Sequence, residues 1–440
     1  MSSPTTPGTT RSVPDPGTAA GTSAAPAARS GRTVVTGIGV VAPCGLGAEA
    51  YWKALLAGES GITGLSRFDT SGYPATLAGE IRDFDAREHL PSRLLPQTDV
   101  STRYAVVAAD WALADAGVAQ EAGETGEAGL ADYDMGVVTS TAQGGFDFTH
   151  REFRKLWDEG PEYVSVYESF AWFYAVNTGQ ISIRNKMRGP SAALVGEQAG
   201  GLDAVGHARR TVRRGTPLVV SGGVDSAFDP WGYSAQLAGG RVTTATDPAR
   251  AYLPFDRAAS GHVPGEGGAI LVVEDADSAR ERGAGTVYGE IAGYAATFDP
   301  PPGSERPPGL RRAAELALAD AGLEPADIGI VYADAAAVPE LDRAEAEALR
   351  GLFGAYGVPV TAPKTLTGRM YAGGGPADLA AALFTLRDGV APATAHTTDV
   401  PDDYGLDLVL GEPRAVRGRA ALVLARGRHG FNSAIVVTAP

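Results

Sequence analysis

Gln198 stands in the segment PSAALVGEQAGGLDAVGHARR, residues 190–210. Its apolar run, its turn of small residues and its helical continuation predict a strand, a tight turn and a helix. A residue at the tip of such a turn projects its side chain from a helix N-terminus, where the helix dipole favours negative charge, and enzymes of this design place a nucleophile there. An amide is not a nucleophile, so the position raises a question before it offers a mechanism. The single cysteine, Cys44, does not replace it: it lies in GVVAPCGLG, and its nearest histidine in sequence is His89. With no base at hand to depress its pKa, it reads as a small buried filler. One cysteine also excludes a disulfide framework and a thiolate metal site.

The segment TGIGVVAP has the glycine spacing of a partial dinucleotide fingerprint, but Pro43, Cys44 and Gly45 follow it instead of a helix that could aim its N-terminus at a pyrophosphate. It reads as a structural turn. The 440 residues carry a formal charge of −15, with 44% apolar and 20% charged residues. That describes a soluble globular protein and argues against nucleic acid or an anionic membrane as partner, since both need basic surface. No apolar run approaches the length of a membrane span. Residues 1–31, rich in Pro, Ser, Thr, Ala and Gly, lack the apolar stretch of a secretory signal and are expected to be a disordered extension. A cytoplasmic location is expected.

The elements that must position Gln198 alternate. Strands are predicted at 134–140, 191–196, 217–222 and 268–274, after an opening strand in RTVVTGIGVVAP, with helices at 98–116 (Val106, Trp111 and Leu113 inward) and 199–214. Near residue 283 the pattern starts again, through GTVYGEIAGYAATFD, a helix closed by Gly322, IGIVYAD, LDRAEAEALRGLFG, VPVTAP, GPADLAAALFTLRDG and a final pair, RAALVLARG and NSAIVVTAP. The second half echoes the first. An internally duplicated α/β protein is expected, with an N-terminal half at 32–282 and a C-terminal half at 283–440.

Five segments in order, GEQAGGLDAVGHARR, YLPFDRAASGHVPGEGGAILVVE, YADAAAVPELDRAEAEAL, PKTLTGRMYAGGG and RHGFNSA, resemble the β-ketoacyl synthases of the thiolase superfamily. The resemblance implies a thiolase-like fold, two βαβαβαββ halves in a five-layer αβαβα sandwich. It also implies a Cys–His–His set, a thiolate that carries the acyl chain and two imidazoles that drive decarboxylation and steady the oxyanion. Here Gln198 stands at the cysteine position, Asp334 at the first histidine and Arg369 at the second. None of the six histidines, at 89, 150, 207, 262, 396 and 429, falls at these positions, although His262 and His429 belong to loops that border the family's pocket. Lys364 and Glu345 match the family pattern. The scaffold is retained and the chemistry is absent, so no condensing activity of the chain alone is expected. Two buried opposite charges facing one pocket are expected to pair, because each unpaired would be costly.

This pattern is similar to the chain-length factors, or ketosynthase-β subunits, of type II aromatic polyketide synthases. That resemblance implies a heterodimer with a ketosynthase-α subunit and an interface tunnel in which a poly-β-ketone chain grows from an acyl carrier protein. It implies no cofactor or metal of the chain's own, the carrier's phosphopantetheine arm acting through the partner. The tunnel gate would lie in GGFDFTHREFRKLW, where Phe146, Thr149 and Phe153 form one helical stripe at i, i+3 and i+7. Bulk at both phenylalanines points to an octaketide rather than a decaketide. The aromatic run 164–173 is expected at the interface. Two rival readings are a malonyl-carrier-protein decarboxylase that supplies an acetyl starter through Gln198, and a structural homodimer that only binds.

Overall fold

The computed structural model describes residues 31–118, 130–301 and 303–440. All but the last residue of the extension assigned to 1–31 lies outside the described residues.

Ten long and short strands repeat one layout twice. In the first half the order across the sheet is Ser191–Leu194, Met135–Ser140, Leu218–Asp225, Gly267–Asp275 and Thr33–Ala42. In the second it is Pro359–Thr361, Ile328–Tyr332, Ala420–Arg426, Phe431–Thr438 and Gly289–Phe298, with Asp407–Leu408 added outside. In both, the first three strands run parallel and the next two pairings are antiparallel. The halves join edge to edge where Val34 and Val35 oppose Glu290 and Gly289. Runs such as Leu218–Asp225 are buried along their full length because helices cover both faces.

Helices Glu197–Arg213 and Gly374–Asp388 occupy equivalent places in the two halves and pack against each other between the two parts of the sheet. Val100–Asp115 covers the outside of the first part and Leu310–Ala321 the outside of the second. The result is the five-layer thiolase-like sandwich. Gly322 ends its helix at φ 67, as a left-handed cap that a residue without Cβ adopts at little cost. In TGIGVVAP the glycines serve strand–helix approach: a Cβ on Gly39 would lie 1.9 Å from the Ala108 carbonyl, and one on Gly37 2.1 Å from that of Ala112. Trp111 is only half-buried and meets the His89 ring edge-on, while Val106 and Leu113 are fully inside.

Candidate functional site

The strand Ser191–Leu194 leads into Val195 and Gly196, and Glu197 then takes φ 50, a left-handed conformation that costs a non-glycine residue about 1–3 kcal/mol. Its own side chain helps to hold it there. Glu197 Oε2 accepts the backbone N–H of Gln198 at 3.2 Å and that of Arg428, across the structure, at 2.9 Å. The turn delivers Gln198 to the first turn of the inner helix with no solvent exposure. Its amide lies against Gly374, the first residue of the second inner helix; a Cβ there would sit 2.3 Å from Nε2. Among the described residues, neither Oε1 nor Nε2 of Gln198 has a hydrogen-bond partner.

Asp334 follows the strand Ile328–Tyr332, and Arg369 lies in the turn before Gly374–Asp388. They pair as expected: Arg369 Nη2 reaches Asp334 Oδ1 at 3.0 Å, and both are buried. They are not alone. Arg426, at the end of Ala420–Arg426, donates its backbone N–H to Asp334 Oδ1 at 2.8 Å and its Nε–H to Oδ2 at 3.2 Å. Its other guanidinium nitrogens reach the Leu341 carbonyl and Glu345 Oε2, each at 2.9 Å. Glu345 in turn accepts the backbone N–H of Asp334 at 2.7 Å and that of Ala335 at 2.9 Å. Beside them Lys364 pairs with Asp378 at 2.6 Å and donates to the Ala333 carbonyl. Arg369, Arg426 and Lys364 therefore balance Asp334, Glu345 and Asp378 within one buried cluster.

Burial alone would raise the Asp334 carboxyl, but the Arg369 and Arg426 guanidiniums outweigh it and hold Asp334 below its ordinary value. The aspartate is a fixed anion. His262 shows the opposite case: burial, helped by Arg369 and Arg428, pushes it well below 6.5, so its imidazole is neutral, and among the described residues neither ring nitrogen has a partner. Asp342, one turn before Glu345, is raised to about 7 by burial, against the hydrogen bond it accepts from the Phe255 N–H at 2.7 Å, with Glu345 adding to the rise. Burial likewise pushes Cys44 up to about 12, which leaves a thiol and no thiolate.

A cavity of about 60 Å³ remains, walled by Arg241, His262, Asp334, Arg369, Arg426 and His429 among others. Glu197 lines it, but Gln198 does not. The cluster thus brings Asp334 and Arg369 together, and Gln198 is not among the residues that line the cavity beside them. Asp334 and Arg369 are held in a buried ion-pair network beside a neutral histidine.

The three positions expected to form the gate, Phe146, Thr149 and Phe153, lie elsewhere, on the helix Phe146–Asp158. Asp99, which caps Val100–Asp115, also accepts the Phe148 N–H at 2.9 Å, and His150 Nδ1 lies 2.7 Å from Asp229; together these fix the helix. Phe146 and Thr149 line an open pocket of about 140 Å³ with Gln143, Trp172, Tyr174 and Trp231. Phe153 does not line it. Its ring sits 5.9 Å from that of Trp231, which Phe146 meets at 4.9 Å, so Trp231 bridges the two phenylalanines.

Arg426 escaped sequence reasoning. At the end of the apolar run AALVLAR a charge reads as a solvated strand end. Its signal lay in the acids: Asp334, Glu345 and Asp378 outnumber Arg369 and Lys364 by one, and a buried surplus anion demands a third cation.

The duplicated layers and the elbow define a β-ketoacyl synthase scaffold, and comparison with known proteins agrees. The β-ketoacyl synthase N-terminal domain model matches residues 31–279 and the C-terminal domain model residues 288–398. The chain belongs to the β-ketoacyl synthase family. It is 70% identical to the granaticin polyketide β-ketoacyl synthase 2 of Streptomyces violaceoruber, over 92% of this chain and 96% of that protein. It is 58% identical to the tetracenomycin polyketide synthase ketoacyl synthase beta subunit of Streptomyces glaucescens, over 92% of this chain and 97% of that protein. Among solved structures, the ishigamide ketosynthase/chain length factor superposes with a TM-score of 0.83 at 25% identity, covering 94% of this chain and all of that one. A type II polyketide synthase acyl-carrier protein in complex with its ketosynthase bound to the hexaketide shares the fold, with a TM-score of 0.82 at 22% identity over 93% of this chain and 99% of that one.

Proposed function

We propose that this chain is the non-condensing, chain-length-setting subunit of a type II polyketide synthase. It pairs with a ketosynthase-α subunit that keeps the nucleophilic cysteine, and the poly-β-ketone chain grows into the space between them from a carrier-bound phosphopantetheine thioester. Among the described residues no helix is long and apolar enough to cross a membrane, in keeping with work in the cytoplasm on a carrier protein.

The observation that carries this reading is a closed site beside an open face. The edge strand Ser191–Leu194 is bonded on one side only and alternates exposed with half-buried residues. An unpaired edge of this kind is a template for another chain. Val195 just beyond it is 52% exposed, and Ile183, on the helix packed against the strand, 74%. Trp172, Phe173 and Trp231 are further exposed rings, and Trp172 and Trp231 also line the Phe146 pocket. Exposed apolar area of this extent marks an interaction surface.

The gate role of Phe146, Thr149 and Phe153 follows from the same placement. Rings at the blind end of an interface channel set length by steric exclusion, because close-packed walls do not yield to an extra ketide unit. With both phenylalanines in place the reading favours an octaketide. The test is co-expression with a ketosynthase-α subunit and an acyl carrier protein, with products read by mass spectrometry. Phe146→Ala and Phe153→Ala are expected to shift the products to longer chains; an unchanged length distribution in both would refute the gate.

A further inference from the structure

We propose that Arg426 is the residue that shuts this subunit's own acylation site: cross-braced to Arg369 through Asp334, it keeps acyl groups from position 198. The inference rests on reading Gln198 as the lost nucleophile position and adds a fourth residue to the three replacements at 198, 334 and 369.

Three features of Arg426 carry it. First, the side chain is fixed. Its guanidinium is held by Asp334, Glu345 and the Leu341 carbonyl, its backbone N–H by Asp334, and its carbonyl accepts Arg369 Nη2 at 2.7 Å. It is only 9% exposed. Second, it borders the site: Arg426 and Gly427 wall the residual cavity together with Asp334 and Arg369, and Gln198 is not among the lining residues.

Third, the charges make the closure independent of the other replacements. Exchanging Asp334 and Arg369 for neutral histidines removes one anion and one cation. Arg426 and Lys364 would still face Glu345 and Asp378, two against two. Nothing electrostatic would then expel Arg426 from the cavity, because its bonds to Glu345 and Leu341 do not involve the exchanged side chains. Restoring cysteine and both histidines would therefore rebuild the inventory of a condensing site behind a closed entrance.

The experiment uses the heterodimer with its ketosynthase-α partner and follows alkylation of a cysteine placed at 198, resolved by peptide mass spectrometry, with an added free-cysteine peptide as internal reference. Iodoacetamide and a bulkier maleimide serve as probes. The variant Gln198→Cys, Asp334→His, Arg369→His is expected to react slowly, and adding Arg426→Ser is expected to raise the rate at least about tenfold, the factor that about 1.4 kcal/mol of barrier represents. Equal rates with and without Arg426→Ser would overturn the proposal. Gln198→Cys in the otherwise unchanged chain gives a second reading that does not depend on the multiple variant folding. There the maleimide should react at least about 100-fold more slowly than with a free cysteine peptide, and reaction at the free rate would equally overturn the closure. Product length in Phe146→Ala heterodimers does not involve position 426, so the chain-length reading and this one fail separately.

Discussion

Replacing Asp334 by asparagine keeps the shape of the side chain and removes the charge on which two buried guanidiniums converge. At 3.0 Å from Arg369 and 3.2 Å from Arg426, each attraction amounts to about 5 kcal/mol at an effective dielectric of about 20. Part of this was spent on desolvating the ions, and the usual net cost of breaking a buried pair on one side is about 3–5 kcal/mol. Asp334→Asn is expected to fall in that range, because Glu345 alone would then face both arginines. Adding Arg369→Met removes the orphaned cation and leaves Arg426 with Glu345. The double variant should therefore be more stable than Asp334→Asn alone, with a coupling energy of at least about 2 kcal/mol. Urea unfolding of the four proteins, followed by tryptophan fluorescence, measures the cycle. The sign with pH also follows: the Asp334 pKa is depressed in the folded state, so its contribution is complete above the ordinary 3.8 and is lost as pH falls through the lower folded value. A cost below about 1 kcal/mol for Asp334→Asn, or strict additivity of the two substitutions, would refute the account of a balanced cluster.

Asp342 should behave oppositely. Its pKa is raised to about 7, so wild-type stability declines as pH rises from about 4 to 7, and Asp342→Asn, which removes the titration, should gain on wild type across that window in thermal melts; a constant difference would count against it. Gly374→Ala places a Cβ 2.3 Å from the Gln198 amide and should destabilise by about 1–3 kcal/mol, a cost that Gln198→Ala in the same chain relieves; no relief would mean that the clash is absorbed elsewhere. Because Gln198 lies off the cavity wall, Gln198→Ala should leave carbon dioxide release from malonyl-carrier protein by the purified subunit unchanged, and a clear loss would revive the decarboxylase reading.

The strands and helices were largely legible because burial on both faces writes continuous apolar runs, and the layout is written twice. Val100–Asp115, Glu197–Arg213 and Gly374–Asp388 lie within a few residues of the segments their periodicity marks. The pairing of Asp334 with Arg369 was legible once the family resemblance put both at one pocket, from the cost of burying either alone. What the sequence did not carry was long-range geometry. Arg426 lies 92 positions from Asp334, and its inward turn is set by Leu341 and Glu345 on another helix. The stripe Phe146, Thr149, Phe153 has the right helical period, yet Trp231, from a different helix, divides it into two pocket walls and one outer ring. Periodicity reports which side of a helix is apolar and is silent on what stands opposite.

The two sites follow different physical rules, and this explains how a scaffold can lose its chemistry and keep its shape. At the inner site Gln198 is buried between two helix N-termini, and a charge buried there without a partner would be costly. The replacements had to be balanced: two arginines share Asp334, and Glu345, already held by two backbone amides, accepts the surplus cation. At the outer face no such constraint applies. Phe146 and Trp231 meet solvent in the isolated chain, and exchanging one ring for a smaller group changes the volume of a pocket without stranding a charge. Pocket size can therefore drift among relatives at little cost to folding, while the inner cluster must change as a set or not at all. A subunit built this way is rigid at its buried ion-pair cluster and adjustable at its open aromatic pocket.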